Sequence, residues 1–110
     1  MDSLWVKIKQ NLIDSASVAA EKAEYLGKVG RARLDIAETR HAIRDRFADL
    51  GGLVYESLQN DAATFDPEGS DDVKELISTI DDLEEELSRR EAVLNDLRVE
   101  SDDTDTAETA

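Results

Sequence analysis

The stretch that decides the fold is residues 73–97, VKELISTIDDLEEELSRREAVLNDL. Its apolar residues recur at alternating steps of three and four, and Arg90 occupies the one place in the series that is not apolar. This heptad spacing gives a helix a continuous apolar stripe and is typical of coiled coils. The stripe consists of Val73, Leu76, Ile80, Leu83, Leu87, Arg90, Leu94 and Leu97. The sequence therefore predicts a helix over residues 71–99 that packs against another helix.

A second stripe of similar length precedes the first one. It predicts a helix over residues 31–60 and consists of Val29, Arg33, Ile36, Arg40, Ile43, Phe47, Leu50, Val54 and Leu58. Residues 60–70 between the stripes hold the only Pro of the chain. Asp66-Pro67 favours a turn, and Ser70 can cap the helix that follows.

Two long helices joined by a short loop predict an antiparallel hairpin. The apolar positions then match layer by layer, with Leu50 facing Ile80 and Ile43 facing Leu87. The predicted seam consists of Ile36, Arg40, Ile43, Phe47, Leu50, Val54, Leu76, Ile80, Leu83, Leu87, Arg90 and Leu94.

The same register places Arg40 opposite Arg90, and two cations in one layer need carboxylates. One interpretation is that the long stems run outward to Glu86 and Glu91. The other is that a second chain supplies the acids and that this layer fixes the register, as buried polar groups do in coiled coils.

The N-terminal segment has helical spacing and an apolar, weakly basic start. Leu4, Trp5, Ile8 and Leu12 lie on one side of the predicted helix, near Lys7 and Lys9. Such a helix suits contact with a membrane surface, with a partner, or with the rest of the protein. Gly27 and Gly30 weaken a helix and predict a bend, with one continuous helix as the alternative.

The predicted fold class is therefore all-α, with an N-terminal amphipathic helix followed by a long antiparallel two-helix coiled-coil hairpin. The parts are the amphipathic helix over residues 1–27, the hairpin over residues 28–99 with its loop at 60–70, and a disordered acidic tail over residues 100–110. The tail prediction rests on the absence of apolar anchors after Val99.

Charge and composition exclude several classes of function. The net charge is −14, and residues 61–110 carry all of it, because the first 60 residues have nine basic and nine acidic groups. An acidic half repels nucleic acid, so we expect no nucleic-acid partner. The chain has no Cys, no apolar run long enough to span a bilayer and no signal-peptide pattern, so we expect a cytoplasmic protein.

No residue pattern points to catalysis or to a cofactor. Glu38 and His41 have the spacing of a helical metal motif, but they point away from the predicted seam and no inward acid faces them. The acids Asp81–Glu86 lack the glycine and the alternating oxygens of a calcium loop. We therefore predict no enzyme, no metal site and no cofactor.

The layout resembles a loose class of small uncharacterised bacterial helical coiled-coil-hairpin proteins. The matching segments are Leu50-Gly51-Gly52-Leu53-Val54-Tyr55-Glu56 and Ile80-Asp81-Asp82-Leu83-Glu84-Glu85-Glu86-Leu87. Some members end in a zinc ribbon, which this chain lacks because it has no Cys. The helix order is also similar to that of longer membrane-remodelling proteins of the phage-shock type. The resemblance implies no activity.

The hairpin leaves apolar side chains off its seam, among them Leu34, Tyr55 and Val93. Exposed apolar surface of this kind favours association. We therefore expect a non-enzymatic scaffold that forms a homo-oligomer or binds a helical protein partner. The alternative is peripheral binding to a membrane surface through Leu4, Trp5, Ile8 and Leu12.

Overall fold

The computed structural model describes the backbone of residues 2–109 and the side chains of residues 3–102. Helix α1 spans Asp2–Asp61 and helix α2 spans Asp71–Thr109, and no strand is present in this range. The all-α prediction is confirmed. The molecule measures 92 × 22 × 16 Å. Since 60 helical residues extend about 90 Å, α1 runs along almost the whole length of the molecule.

The predicted bend at Gly27 and Gly30 is wrong, and the N-terminal helix is not a separate element. The backbone is helical without interruption through both glycines and through Gly51 and Gly52, and none of them has a positive φ. A glycine costs a helix about 1 kcal/mol relative to alanine. That cost weakens a long helix but does not end it, because glycine keeps the backbone N–H that proline would remove.

Substituting Gly52 should stabilise α1. A Cβ built on Gly52 meets no atom within 4 Å, so alanine introduces no clash. We expect Gly52→Ala to raise the free energy of unfolding by about 0.5–1 kcal/mol. Urea denaturation followed by circular dichroism measures the change. Gly69→Ala is the contrasting variant, because its Cβ would lie 2.8 Å from an Asp66 carboxylate oxygen in a tight turn. A lower stability of Gly52→Ala would contradict the interpretation.

The connection between the helices is ordered by local hydrogen bonds. The amides of Thr64 and Phe65 donate to the Asp61 carbonyl at 3.0 and 2.9 Å, which closes the end of α1. The Ser70 hydroxyl accepts from the Val73 amide at 3.3 Å, so Ser70 caps α2 as the sequence predicts. Asp71 and Asp72 occupy the first turn of α2, where the helix dipole favours negative charge.

Helix α2 continues past the predicted end at residue 99. Residues 100–109, expected as a disordered tail, are helical. No Gly or Pro follows Gly69, so the covalent chain contains no strong helix breaker where the apolar spacing stops. The side chains of residues 103–110 lie outside the described residues.

The two helices pack through a narrow, thin core. On α1 the inward positions are 29, 32, 36, 39, 43, 46, 50, 53 and 57, and on α2 they are 73, 76, 80, 83, 87, 90, 94 and 97. Only five of the described apolar side chains are buried: Val29, Ala32, Ile36, Val73 and Ile80. Within the described part of the chain, no helix is long and apolar enough to cross a bilayer.

Candidate helix-pairing surface

The structure places most of the predicted seam residues at the contact between α1 and α2. Ile36 and Ile80 are buried, and eight more are half-buried: Ile43, Leu50, Val54, Leu76, Leu83, Leu87, Arg90 and Leu94. Arg40 and Phe47 are the exceptions, because both are exposed. Phe47 keeps 51% of its surface exposed.

The α1 side of the seam differs from the prediction by one residue in alternate layers. Thr39, Arg46 and Leu53 occupy the inward positions where the predicted seam has Arg40, Phe47 and Val54. Both choices keep steps of three and four residues, so spacing alone does not distinguish them. The apolar character of Phe47 favoured the wrong choice. Arg46 contributes its stem to the seam and directs its Nη2 to Asp49 at 3.1 Å.

The polar layer around Arg90 is satisfied within the chain. Arg90 Nη1 donates to the Asp35 carbonyl at 2.7 Å and to the Thr39 hydroxyl at 2.8 Å, while Nη2 lies 2.8 Å from a Glu86 oxygen. Thr39 in turn donates to the Asp35 carbonyl at 3.0 Å and is only 3% exposed. A guanidinium presents five donors in a fixed fork, and here it crosses from α2 to the backbone of α1.

The predicted stacking of Arg40 on Arg90 is wrong. Arg40 turns outward and its Nη2 lies 3.2 Å from Glu91, with both side chains about half exposed. Glu86 therefore pairs with Arg90, and Glu91 pairs with Arg40, as the first sequence interpretation allows. The two arginines need no acid from a second chain. Sequence reasoning missed Thr39. The available signal was that a donor in the seam needs an acceptor opposite, and a threonine lies beside Arg40.

The start of α1 extends beyond the region that α2 can match. Helix α1 has 60 residues and α2 has 39, a difference equivalent to roughly 30 Å of helix. Every described side chain from Ser3 to Glu24 is exposed, and these residues form the N-terminal overhang. The predicted contact residues Leu4, Trp5, Ile8 and Leu12 all lie in it and are 44–69% exposed.

A second series of residues, apolar or small apart from Lys9, Arg33, Arg40 and Arg44, runs along α1 outside the seam. It has the same alternation of three and four residues and continues from the overhang past Gly51. All its members are exposed except the half-buried Val54. This outer stripe consists of Trp5, Lys9, Leu12, Ala16, Ala19, Ala23, Leu26, Gly30, Arg33, Ala37, Arg40, Arg44, Phe47, Gly51, Val54 and Leu58.

The described residues offer no grouping that suits metal chemistry. His41 is exposed and its Nε2 lies 3.6 Å from Asp45, one turn along the same helix. Among residues with described side chains, no three or more His, Cys, Asp or Glu are close enough to hold an ion. Glu38 is exposed, as is His41.

Comparison with known proteins adds no further constraint. No protein family, curated protein or solved structure matches this chain.

Proposed function

We propose that this chain is a non-enzymatic scaffold protein that associates with itself. Its two helices form an antiparallel coiled-coil hairpin, and the outer stripe of α1 mediates association between copies. The alternating inward positions on both helices support the coiled coil. The connection of nine residues between Asp61 and Asp71 supports the antiparallel direction, because it is too short to return the chain to the start of a parallel α2. The contacts of Arg90 with Thr39 and of Arg40 with Glu91 then support the register.

The observation that carries this proposal is the large apolar surface left uncovered by a thin core. Trp5, Leu12, Leu26 and Phe47 recur on one side of α1, and each is at least 51% exposed. The exposed apolar side chains are densest in the overhang, where Leu4, Ile8 and Ile13 accompany Trp5 and Leu12, and an exposed apolar cluster of this kind favours association. Small single-core domains also commonly gain stability by oligomerising.

Self-association predicts a dependence on Phe47. Phe47→Glu places a charge in the outer stripe without entering the seam, so we expect it to weaken association by about tenfold or more. Sedimentation equilibrium over a wide range of concentrations measures the effect. Val93→Glu is the matched control, since Val93 is 54% exposed and lies on the other helix. A wild-type chain that stays monomeric throughout would exclude the proposal.

A second candidate function is peripheral binding to a membrane surface. It is favoured by the position of Leu4, Trp5 and Ile8 at the uncovered end of α1. Lys7 and Lys9 lie among them, and no acidic residue occurs between Ser3 and Ile13. Amphipathic helices with this arrangement insert their apolar side into the interface of anionic bilayers.

Membrane binding predicts that the full chain sediments with anionic vesicles at low salt. Trp5→Asp should reduce the bound fraction by about tenfold, because it removes an aromatic anchor and adds a repelled charge. Tyr55→Asp is the matched control, as Tyr55 is 66% exposed but lies outside the overhang. Equal losses in both variants, or no binding by the wild-type chain, would count against a membrane role.

A further inference from the structure

We infer that the occupant of the outer stripe is a second copy of this chain, whose α1 lies antiparallel along the first so that Leu12 of each copy packs on Gly51 of the other. This inference rests on the proposed self-association and specifies its geometry.

Size complementarity supports this register. When Leu12 lies opposite Gly51, the same alignment places Phe47 opposite Ala16 and Leu26 opposite Ala37. Between Leu12 and Gly51, each layer then pairs a large side chain with a small one, which keeps the spacing between the helices constant. The two outermost layers pair large side chains, Trp5 with Leu58 and Lys9 with Val54. A shift of one heptad in either direction breaks the pattern, because Ala19 then faces Ala37 or Gly51 and leaves a gap.

Repulsion between like charges disfavours a parallel pair in register. The outer stripe contains Arg33, Arg40 and Arg44 and no acidic residue. A parallel pair in register would place each arginine against its own copy, and like charges in one layer are unfavourable. The antiparallel register instead places the three arginines opposite Gly30, Ala23 and Ala19, where their stems have room.

The glycines of the stripe are consistent with a neighbouring helix. A Cβ added at Gly30 or Gly51 meets nothing within 4 Å, so no contact within the chain requires glycine there. A partner helix would use that space, since small residues allow close approach of backbones. The overhang, which α2 leaves uncovered, then lies on the second half of the partner's α1.

Distance measurements on the full chain test the orientation. The chain has no Cys, so single spin labels can be placed at Ser17→Cys and at Arg31→Cys, which lie two heptads apart on an exposed side of α1. In the antiparallel pair, the labels at residue 31 are close to each other. The labels at residue 17 are about 45 Å apart, as follows from 1.5 Å per residue. Short distances at both sites would indicate a parallel pair and overturn the inference.

A size exchange tests the register. Gly51→Leu should raise the dissociation constant of the dimer by about tenfold or more, because it overpacks the layer. Gly52→Leu is the matched control and should change it by less than about threefold, since Gly52 lies outside the stripe. Adding Leu12→Ala to Gly51→Leu should recover most of the lost affinity. Failure of this recovery would overturn the register.

The two proposals fail in different ways. If wild-type protein dimerises but the distances or the size exchange disagree, the antiparallel register is wrong and self-association stands. If the chain is monomeric at all concentrations, or binds anionic vesicles only as a monomer, both proposals are wrong.

Discussion

Replacing Ile80 with alanine should lower the free energy of unfolding by about 2–4 kcal/mol, because Ile80 is among the few buried apolar residues of the core. The cost combines the lost transfer free energy of the removed methyl and methylene groups with the cavity left in the seam. A two-helix core has few other contacts to compensate, so we expect this variant to lose most of its tertiary stability.

Ile77 provides the matched control for this substitution. It is the same residue type, three positions earlier on α2, and it is 47% exposed where Ile80 is 5% exposed. We expect Ile77→Ala to change stability by no more than about 0.5 kcal/mol. Both variants should be measured by urea denaturation at concentrations low enough that the midpoint no longer depends on concentration. Equal losses would mean that residue 80 does not lie in the seam.

The second large effect is expected at Arg90. Arg90→Ala removes two contacts that join α2 to Asp35 and Thr39 of α1, and an ion pair with Glu86 of the same helix. It also leaves a gap at a seam position that is half-buried. We expect a loss of about 1–3 kcal/mol, which is the usual range when a part-buried charged donor is deleted. Thermal and urea denaturation measure it.

Two further variants show whether the loss comes from the polar contacts of Arg90 or from the removal of any arginine side chain. Arg89→Ala removes a neighbouring exposed arginine and should be nearly neutral. Arg90→Met keeps an apolar side chain of similar length, and together with Thr39→Val it should restore most of the stability, since an apolar pair can replace a buried polar one. If Arg90→Ala and Arg89→Ala had equal effects, the polar layer would contribute nothing to the pairing of the helices.

Much of the fold was predictable because local signals agree with each other. The heptad from Val73 to Leu97 identifies both α2 and its inward side, and each position of that stripe is buried or half-buried. Ser70 and Pro67 mark the connection, and the structure uses Ser70 as the cap. These signals depend only on residues close together in the sequence, so they can be interpreted without knowledge of the partner helix.

The boundaries were less predictable. Gly27 and Gly30 predict a bend that the helix does not have. Each glycine lowers helix stability by about 1 kcal/mol, which is small beside the many hydrogen bonds of a 60-residue helix. The last apolar residues predict an end of α2 at residue 99, but the helix continues to Thr109. Amphipathic spacing reports where a helix packs, and a helix can continue beyond the region that packs.

The sequence by itself determined that the chain is helical, where it turns and which side of α2 faces inward, because these depend on spacing and local caps. Only the tertiary structure decided that Thr39 and Arg46, and not Arg40 and Phe47, enter the seam. The two alternatives have the same period, and the choice depends on how Arg90 of the other helix finds acceptors on Asp35 and Thr39. That choice leaves Phe47 exposed on the outer stripe. Satisfaction of the Arg90 donors explains the inward position of Thr39, but not that of Arg46, whose Nε is buried without a hydrogen-bond partner.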